Sequence, residues 1–314
     1  MKQVITVTLN PAIDKTVSVT KFEIGQLNRV ASESHIQIDP GGKGINVAKV
    51  LSNFSVNVLA SGFIAGKQGN QLISGLEEKG ISHNFTEVAG ETRTNLKIID
   101  METKDLTELN EPGFTVGNED VDQFLDKLTA LFPSTSVLVL GGSYPKGIDN
   151  DIYKRLIDLA NDHGVKVILD ADGDAFKEGI EAIPFAVKPN VFELELLLNK
   201  KLSTIKEIHE AGVQLINKGI SLVVISMGKD GAVVIKGSEA YQVGSLKITP
   251  GSTVGAGDSM VAAMVYSILN DFSLAELARW ATAAGGMTAS KPGTEVCTYE
   301  DVVGVIDQVK IQSI

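Results

Sequence analysis

The chain has 314 residues, 43% of them apolar and 21% charged, which suits a buried core and argues against wholesale disorder. That length fits two domains or one large α/β domain. A formal net charge of −11 removes the long-range positive field that nucleic acid or an anionic membrane would require, so any anionic ligand must be held by local cations and backbone amides, with metal where needed.

In chain order, apolar β-branched runs predict strands over 4–9, 57–64, 136–140 and 165–170, then a short one over 186–189 and another over 222–226. Helix-like stretches follow many of them: 47–54, an amphipathic helix over 151–163, then 193–198, 205–218 and 259–269. Residues 232–235 and 239–243 read as an antiparallel pair turning at Lys236-Gly237-Ser238. Alternating strands and helices predict a mostly parallel sheet with helices on both faces. In such sheets ligands bind beyond the carboxyl ends of the strands. Two polar, alternating stretches, 15–38 and 92–109, do not fit that pattern and read as strands outside the main sheet. The division expected is an α/β core over 1–11, 41–91 and 111–314, and a small β lid over 12–40 and 92–110.

One cysteine, Cys297, excludes an intramolecular disulfide and fits a reducing compartment. With only four histidines in the chain, Cys297 reads as packing rather than as a catalytic thiol. The N-terminus shows no basic-then-apolar signal pattern. The apolar run 261–269 is far shorter than the ~18 residues of a membrane span. The expectation is a cytoplasmic protein with no nucleic-acid or membrane partner.

Several motifs lie just after predicted strands. Thr253-Val254-Gly255-Ala256-Gly257-Asp258 runs into an apolar helix, so its glycines sit at a helix N-terminus, where free N–H groups and the dipole favour an anion. Asp258 faces the same spot; its alternative reading is a plain helix cap. Gly41-Gly42-Lys43-Gly44-Ile45-Asn46 is a second glycine loop entering a helix, and it lacks the spacing of a Walker A loop. Asp14 follows Asn10-Pro11 and could accept hydrogen bonds from two sugar hydroxyls, or serve as a turn residue. Asn190 and Glu193 lie three apart on one helix face, as a water-rich magnesium site or a capping pair would require. Arg93 in Glu91-Thr92-Arg93-Thr94-Asn95 offers a fork that matches phosphate oxygens, or is an exposed strand charge. Ser226-Met227-Gly228-Lys229-Asp230-Gly231 is a glycine turn that could line a nucleotide.

Taken in this order, with Thr8-Leu9-Asn10-Pro11 at the start, Gly142-Ser143-Tyr144-Pro145-Lys146-Gly147 in the middle and Lys188-Pro189-Asn190 later, these motifs resemble the ribokinase superfamily of sugar kinases, in its phosphofructokinase B branch, essentially end to end. The resemblance implies a doubly wound ribokinase-like α/β fold with a β lid that often mediates dimers, and ATP-dependent phosphorylation of a sugar phosphate. It implies Asp258 as general base, with the Gly255, Ala256 and Gly257 amides as anion hole. Asp14, Gly42, Lys43, Asn46, Arg93, Asn95 and Ser143 fall on the sugar-phosphate side. Lys188, Asn190, Ser226, Gly228, Gly231 and Gly257 fall on the ATP side, and Glu193 on magnesium through water. Ser252 stands where many relatives have Asp, which leaves monovalent-cation activation open, and Asp172 replaces a frequent Ser. The lysine of the 41–44 loop and the fused start are shared by kinases of fructose 1-phosphate and of tagatose 6-phosphate. Fructose 1-phosphate, giving fructose 1,6-bisphosphate, is the first expectation. Tagatose 6-phosphate or fructose 6-phosphate is the alternative, and a non-catalytic sugar-phosphate sensor the reading from another class.

Overall fold

The structure, a computed structural model, describes residues 3–30, 32 and 35–314. Residues 1, 2, 31, 33 and 34, which the division into core and lid includes, lie outside the described residues. Ten strands form the main sheet: β1 (Gln3–Thr8), β4 (Val58–Ile64), β5 (Ser82–Glu87), β8 (Thr135–Gly141), β9 (Lys166–Asp170), β10 (Ala186–Val187), β11 (Leu222–Ser226), β12 (Ala232–Lys236), β13 (Glu239–Val243) and β14 (Ile311–Ser313). Their order is β14-β13-β12-β11-β10-β9-β8-β1-β4-β5. The run from β11 to β5 is parallel, and β12, β13 and β14 add an antiparallel edge.

The period of two sorts the sheet's side chains onto two cores. Val4, Val137, Val139 and Val224 face one core, covered by helices Lys43–Asn53, Gly66–Glu78, Ala256–Leu269 and Leu274–Ala289. Ile5, Val7, Leu138, Leu140, Val223 and Ile225 face the other, covered by Asn118–Leu131, Ile152–Asp162, Gly173–Ile180 and Ile205–Asn217. Both faces are buried, which is why strands such as β11 read as nearly continuous apolar runs. Cys297 is packed in the first core, and burial pushes its thiol up.

Strand β1 pairs with β4 on one side and β8 on the other. The chain thus leaves β1 in one direction and later returns on its other flank. This reversal opens a crevice at the carboxyl ends of β1 and β8. Gly62, at φ 141°, lets β4 pass that end: a Cβ there would lie 1.9 Å from the Thr8 carbonyl oxygen.

A second sheet has the order β3-β2-β6-β7, from β2 (Ala12–Val19), β3 (Ile36–Gly41), β6 (Arg93–Asp100) and β7 (Leu106–Asn110). β2 and β6 run parallel, with Ala12 opposite Arg93 and Asp14 opposite Asn95.

Some boundaries differ from the sequence expectation. The helix expected over 47–54 starts at Lys43, with Gly42 as its N-cap, so Lys43 and Asn46 lie in its first turn. The helix expected from 259 starts at Ala256 and takes in Gly257 and Asp258. The positive φ of Gly42 (120°) and Gly255 (76°), open to glycine, allows each helix to begin inside a loop that composition marks as irregular. The strand expected over 186–189 ends at Val187, and helix Val191–Leu198 begins two residues before 193. Strands β5 and β14 and helices Gly66–Glu78 and Asn118–Leu131 lie outside the elements expected from sequence.

Candidate active site

Two helix starts meet in the crevice. Gly255 caps helix Ala256–Leu269 in the left-handed region, at φ 76°, with no side-chain cap bond. Its neighbour Ala256 donates its N–H to the Thr253 carbonyl at 3.3 Å. The N–H groups of Gly255 and Gly257 find no acceptor among the described residues. Asp258, in the first turn, is buried, and its Oδ2 accepts a 2.8 Å hydrogen bond from Asn46 Nδ2. Burial first, and the carboxylate of Asp170 second, push the Asp258 carboxyl up to about 6, against Asn46, Lys43 and Lys188.

Helix Lys43–Asn53 is pressed onto the end of β1. A Cβ on Gly44 would lie 2.6 Å from both Thr8 Oγ1 and the Val7 carbonyl oxygen, and Ile45 donates its N–H to Thr8 Oγ1 at 3.0 Å. Lys43 therefore leans toward the end of β9. Its Nζ donates to the Asp170 carbonyl at 3.3 Å and lies 3.5 Å from Asp170 Oδ1. Lys188, just after β10, pairs with the same Oδ1 at 3.2 Å. A Cβ on Gly257 would meet Lys188 Nζ at 3.3 Å, so glycine here gives this ammonium room over the helix start. Burial works against the charge on Asp170, but the ammoniums of Lys188 and Lys43 outweigh it and hold the carboxyl below its usual range. Burial likewise opposes the charge on Lys43, and Asp170, Asp258, Asp172 and Glu193 overcome it and raise the ammonium. Two lysines and a carboxylate thus hold a mixed-charge floor beside Asp258.

A second group belongs to the four-stranded sheet. Asp14 is not at a turn but inside β2, buried, and its two oxygens accept from Asn95 Nδ2 at 3.0 Å and Lys97 Nζ at 2.9 Å. Gly41 leaves room for it: a Cβ there would be 2.5 Å from Asp14 Cγ. Arg93 is half-buried rather than an exposed strand charge. Its Nε and Nη2 donate to the Asn10 carbonyl at 3.3 and 3.1 Å, and Nη1 to the Glu111 carbonyl at 3.3 Å.

On the third side, Asn190 and Glu193 form a reciprocal cap on helix Val191–Leu198. Glu193 N–H donates to Asn190 Oδ1 and Asn190 N–H to Glu193 Oε2, both at 2.8 Å. Burial raises the Glu193 carboxyl. Ser226 donates its N–H to the Pro189 carbonyl at 3.0 Å, which fixes the start of the glycine turn against this cap. Asn190, Ser226 and Gly228, with Phe192, Leu202 and Met227, line a cavity of about 560 Å³. Gly231, at φ 93°, passes so close to the Val243 carbonyl that a Cβ would lie 1.9 Å from it. Ser143 is exposed, beside Gly142 at φ 84°. Among the described residues no three His, Cys, Asp or Glu side chains gather as a metal cage. A single half-buried carboxylate such as Glu193 suits an ion that keeps its waters and rides on phosphates.

The structure brings Asp258, Asn46, Lys43, Lys188 and Gly257 into one cluster and Asp14, Asn95 and Gly41 into another. It adds three residues that sequence reasoning passed over as site members: Asp170, Lys97 and Lys49. The last is buried and donates to Asn46 Oδ1 at 3.3 Å. Lys97 lies out of phase with the apolar alternation of Leu96 and Ile98, so by sequence it reads as a solvent-facing charge.

The pfkB family carbohydrate kinase model matches residues 7–301, a span that holds both helix starts, the charged floor and the glycine turn. The chain belongs to the pfkB family of carbohydrate kinases. This kinase is 34% identical to the 1-phosphofructokinase of Bacillus subtilis over 306 residues, covering 98% of each chain. It is 33% identical to a tagatose-6-phosphate kinase of Staphylococcus epidermidis over 311 residues, covering 98% of this chain and 99% of the relative. Among solved structures, phosphofructokinase-2 from Escherichia coli in complex with potassium superposes with a TM-score of 0.92 at 28% identity, over 98% of this chain and 99% of that one. The pfkB kinase described here is an ATP-dependent sugar kinase with a ribokinase-like fold. No helix among the described residues is long and apolar enough to cross a membrane.

Proposed function

We propose that this pfkB kinase transfers the γ-phosphoryl group of ATP to the 6-hydroxyl of fructose 1-phosphate, giving fructose 1,6-bisphosphate and ADP. The observation that carries the reading is the buried Asp258, held by Asn46 at an amide-rich helix start beside Lys43 and Lys188. Asn46 takes up Oδ2 and leaves Oδ1 for an incoming hydroxyl. The hydroxyl oxygen attacks the γ-phosphorus, its proton passes to Asp258 Oδ1, and the bond to the β–γ bridging oxygen breaks, so ADP leaves. Phosphoryl transfer asks a protein mainly for positioning and charge stabilisation. The Gly255 and Gly257 amides and Lys188 supply both. With Ala256 N–H directed at Thr253, the anion hole relies on the two glycines.

Asp14 and Asn95 face the sugar hydroxyls in this reading, while Arg93 and Lys43 take the phosphate already on the substrate, with Gly42 and Ser143 along the crevice wall. Asn190, Ser226, Gly228 and Gly231 border the nucleotide. Glu193 would hold Mg²⁺ through water, and the ion would supply neutralising charge to the ATP phosphates. Strands β2, β3, β6 and β7 act as a lid that excludes water, because open water at the γ-phosphate would hydrolyse ATP. Ile38 and Leu109, on the lid's edge strands, are 48% and 58% exposed, which supports a homodimer through the lid.

The choice of fructose 1-phosphate rests on relatives bearing the name 1-phosphofructokinase. The relative named tagatose-6-phosphate kinase favours tagatose 6-phosphate as the second reading. A coupled ADP-release assay with fructose 1-phosphate, tagatose 6-phosphate and fructose 6-phosphate decides between them, run with and without K⁺. The highest kcat/KM belongs to fructose 1-phosphate if the reading holds. A higher value for either other sugar reassigns the substrate, and ATP binding without turnover of any sugar supports the sensor.

A further inference from the structure

We propose that Lys49 is a positioning residue for phosphoryl transfer: it fixes the side-chain amide of Asn46 so that only the NH₂ end faces Asp258. The inference rests on Asp258 being the base. It starts from three side chains joined by two hydrogen bonds. Lys49 Nζ donates to Asn46 Oδ1 at 3.3 Å, and Asn46 Nδ2 donates to Asp258 Oδ2 at 2.8 Å. Lys49 and Asn46 lie one turn apart on helix Lys43–Asn53, which is the spacing that lets two helical side chains meet.

An ammonium can only donate, and a carboxylate can only accept. The amide between them therefore has one comfortable orientation. Turned over, its NH₂ would meet the ammonium and its carbonyl the carboxylate. With Oδ1 held by Lys49, Asn46 has no acceptor to offer a protonated Asp258, so the amide favours the ionised form that a base needs.

The surroundings of Lys49 point the same way. Asp39 and Asp14 attract its charge, and Lys79 and Lys97 oppose it. Yet Asp39 is already engaged by Lys79 at 3.6 Å and by Gln37 and Thr294, and Asp14 by Lys97 and Asn95. Among the described residues Asn46 is the one hydrogen-bond acceptor Lys49 has. Burial pushes its ammonium down to about 8. A methionine of similar length would avoid that desolvation in a buried helix position, so stability alone does not explain a lysine here.

The test is a cycle of Lys49→Met, Asn46→Ala and the double variant, with Lys49→Arg as the conservative change. In the wild-type background, Lys49→Met should lower kcat about tenfold while the KM for ATP stays within about twofold. In the Asn46→Ala background the same change should alter kcat by less than about twofold, because its route is gone. Lys49→Arg, which keeps a donor, should recover most of the rate. An equal loss of kcat in both backgrounds, or no loss in either, overturns the proposal. A second readout needs no turnover: the Asp258 Cγ resonance in ¹³C-aspartate-labelled protein, assigned by its loss in Asp258→Asn. Lys49→Met should move the Asp258 midpoint upward, and by much less once Asn46 is alanine. Asp170, Lys43 and Lys188 also face Asp258, but they are common to all arms of the cycle. An unmoved midpoint in Lys49→Met overturns the proposal. Failure of the wild type to phosphorylate any sugar overturns the functional reading alone.

Discussion

Asp258 carries a charge in a place that disfavours charge. Its carboxyl ordinarily titrates at 3.8 and is pushed up to about 6 here, by burial and then by Asp170. Two outcomes follow with definite sign. As a base it must be ionised, so kcat/KM of the free enzyme should fall below about pH 6. Asp258→Asn should lose ~10²-fold or more in kcat. It should also lose that acidic limb. For stability, the folded protein takes up the proton at about 6 and the unfolded chain only near 3.8, so stability rises as pH falls through that window. Asp258→Asn escapes the cost of a buried charge. It should melt higher than wild type at pH 7, with the gap narrowing toward pH 4; an acidic limb retained in Asp258→Asn, or a lower melting point at pH 7, would argue against this account of Asp258. Arg93 is held from behind by the Asn10 and Glu111 carbonyls, which use donors without neutralising the guanidinium. Its charge therefore stays available to a phosphate. Arg93→Ala should raise the KM for the sugar phosphate about tenfold and leave the KM for ATP alone; the reverse pattern in the two KM values would place Arg93 on the nucleotide side.

At the scale of elements, the legible features are those the backbone demands locally. Gly42 and Gly255 mark helix starts because the cap positions adopt φ values that favour glycine, and both loops are visible as strings of glycine. The partnership of Asp170 with Lys43 spans 127 residues, and no local pattern announces it. Lys97 reads as a solvent-facing lid charge by composition, yet it is buried on Asp14, because parallel pairing of β2 with β6 turns both side chains to one face. Lys49 sits in a helix whose apolar neighbours suggest nothing but packing. Helix Val191–Leu198 shows where a motif supports two readings at once. Asn190 and Glu193 cap it reciprocally, an arrangement worth ~1 kcal/mol, and Asn190 is also bridged to Ser226 at the start of the glycine turn. Glu193→Gln keeps a side-chain acceptor for the Asn190 N–H. The variant should stay folded, while the Mg²⁺ concentration for half-maximal rate rises several-fold. A Mg²⁺ dependence identical to wild type, with a lowered melting temperature, would leave Glu193 as a cap only.

At the scale of the whole molecule, the four-stranded sheet is the least enclosed part. All five residues of β7 are exposed, and so are Ile36 and Ile38 on β3, so both edge strands offer unpaired backbone and apolar side chains. Two lids packed face to face would cover them. Sedimentation at micromolar concentration should give a dimer, and Ile38→Glu with Leu109→Glu should give a monomer with a raised KM for the sugar phosphate; a wild-type monomer would remove the lid interface. The order in which the site's parts are strung along the chain also governs when it can exist. Strand β1 lies between β4 and β8, and Asn46 finds its carboxylate only at residue 258. On the ribosome, the first glycine loop is made long before Asp170, Lys188 and Asp258, and the apolar face of helix Lys43–Asn53 waits for helix Ala256–Leu269 to cover it. A nascent chain therefore lacks the Asn46–Asp258 bond until late in synthesis, and until then this helix keeps an uncovered apolar face of the kind that makes partly made chains prone to aggregate.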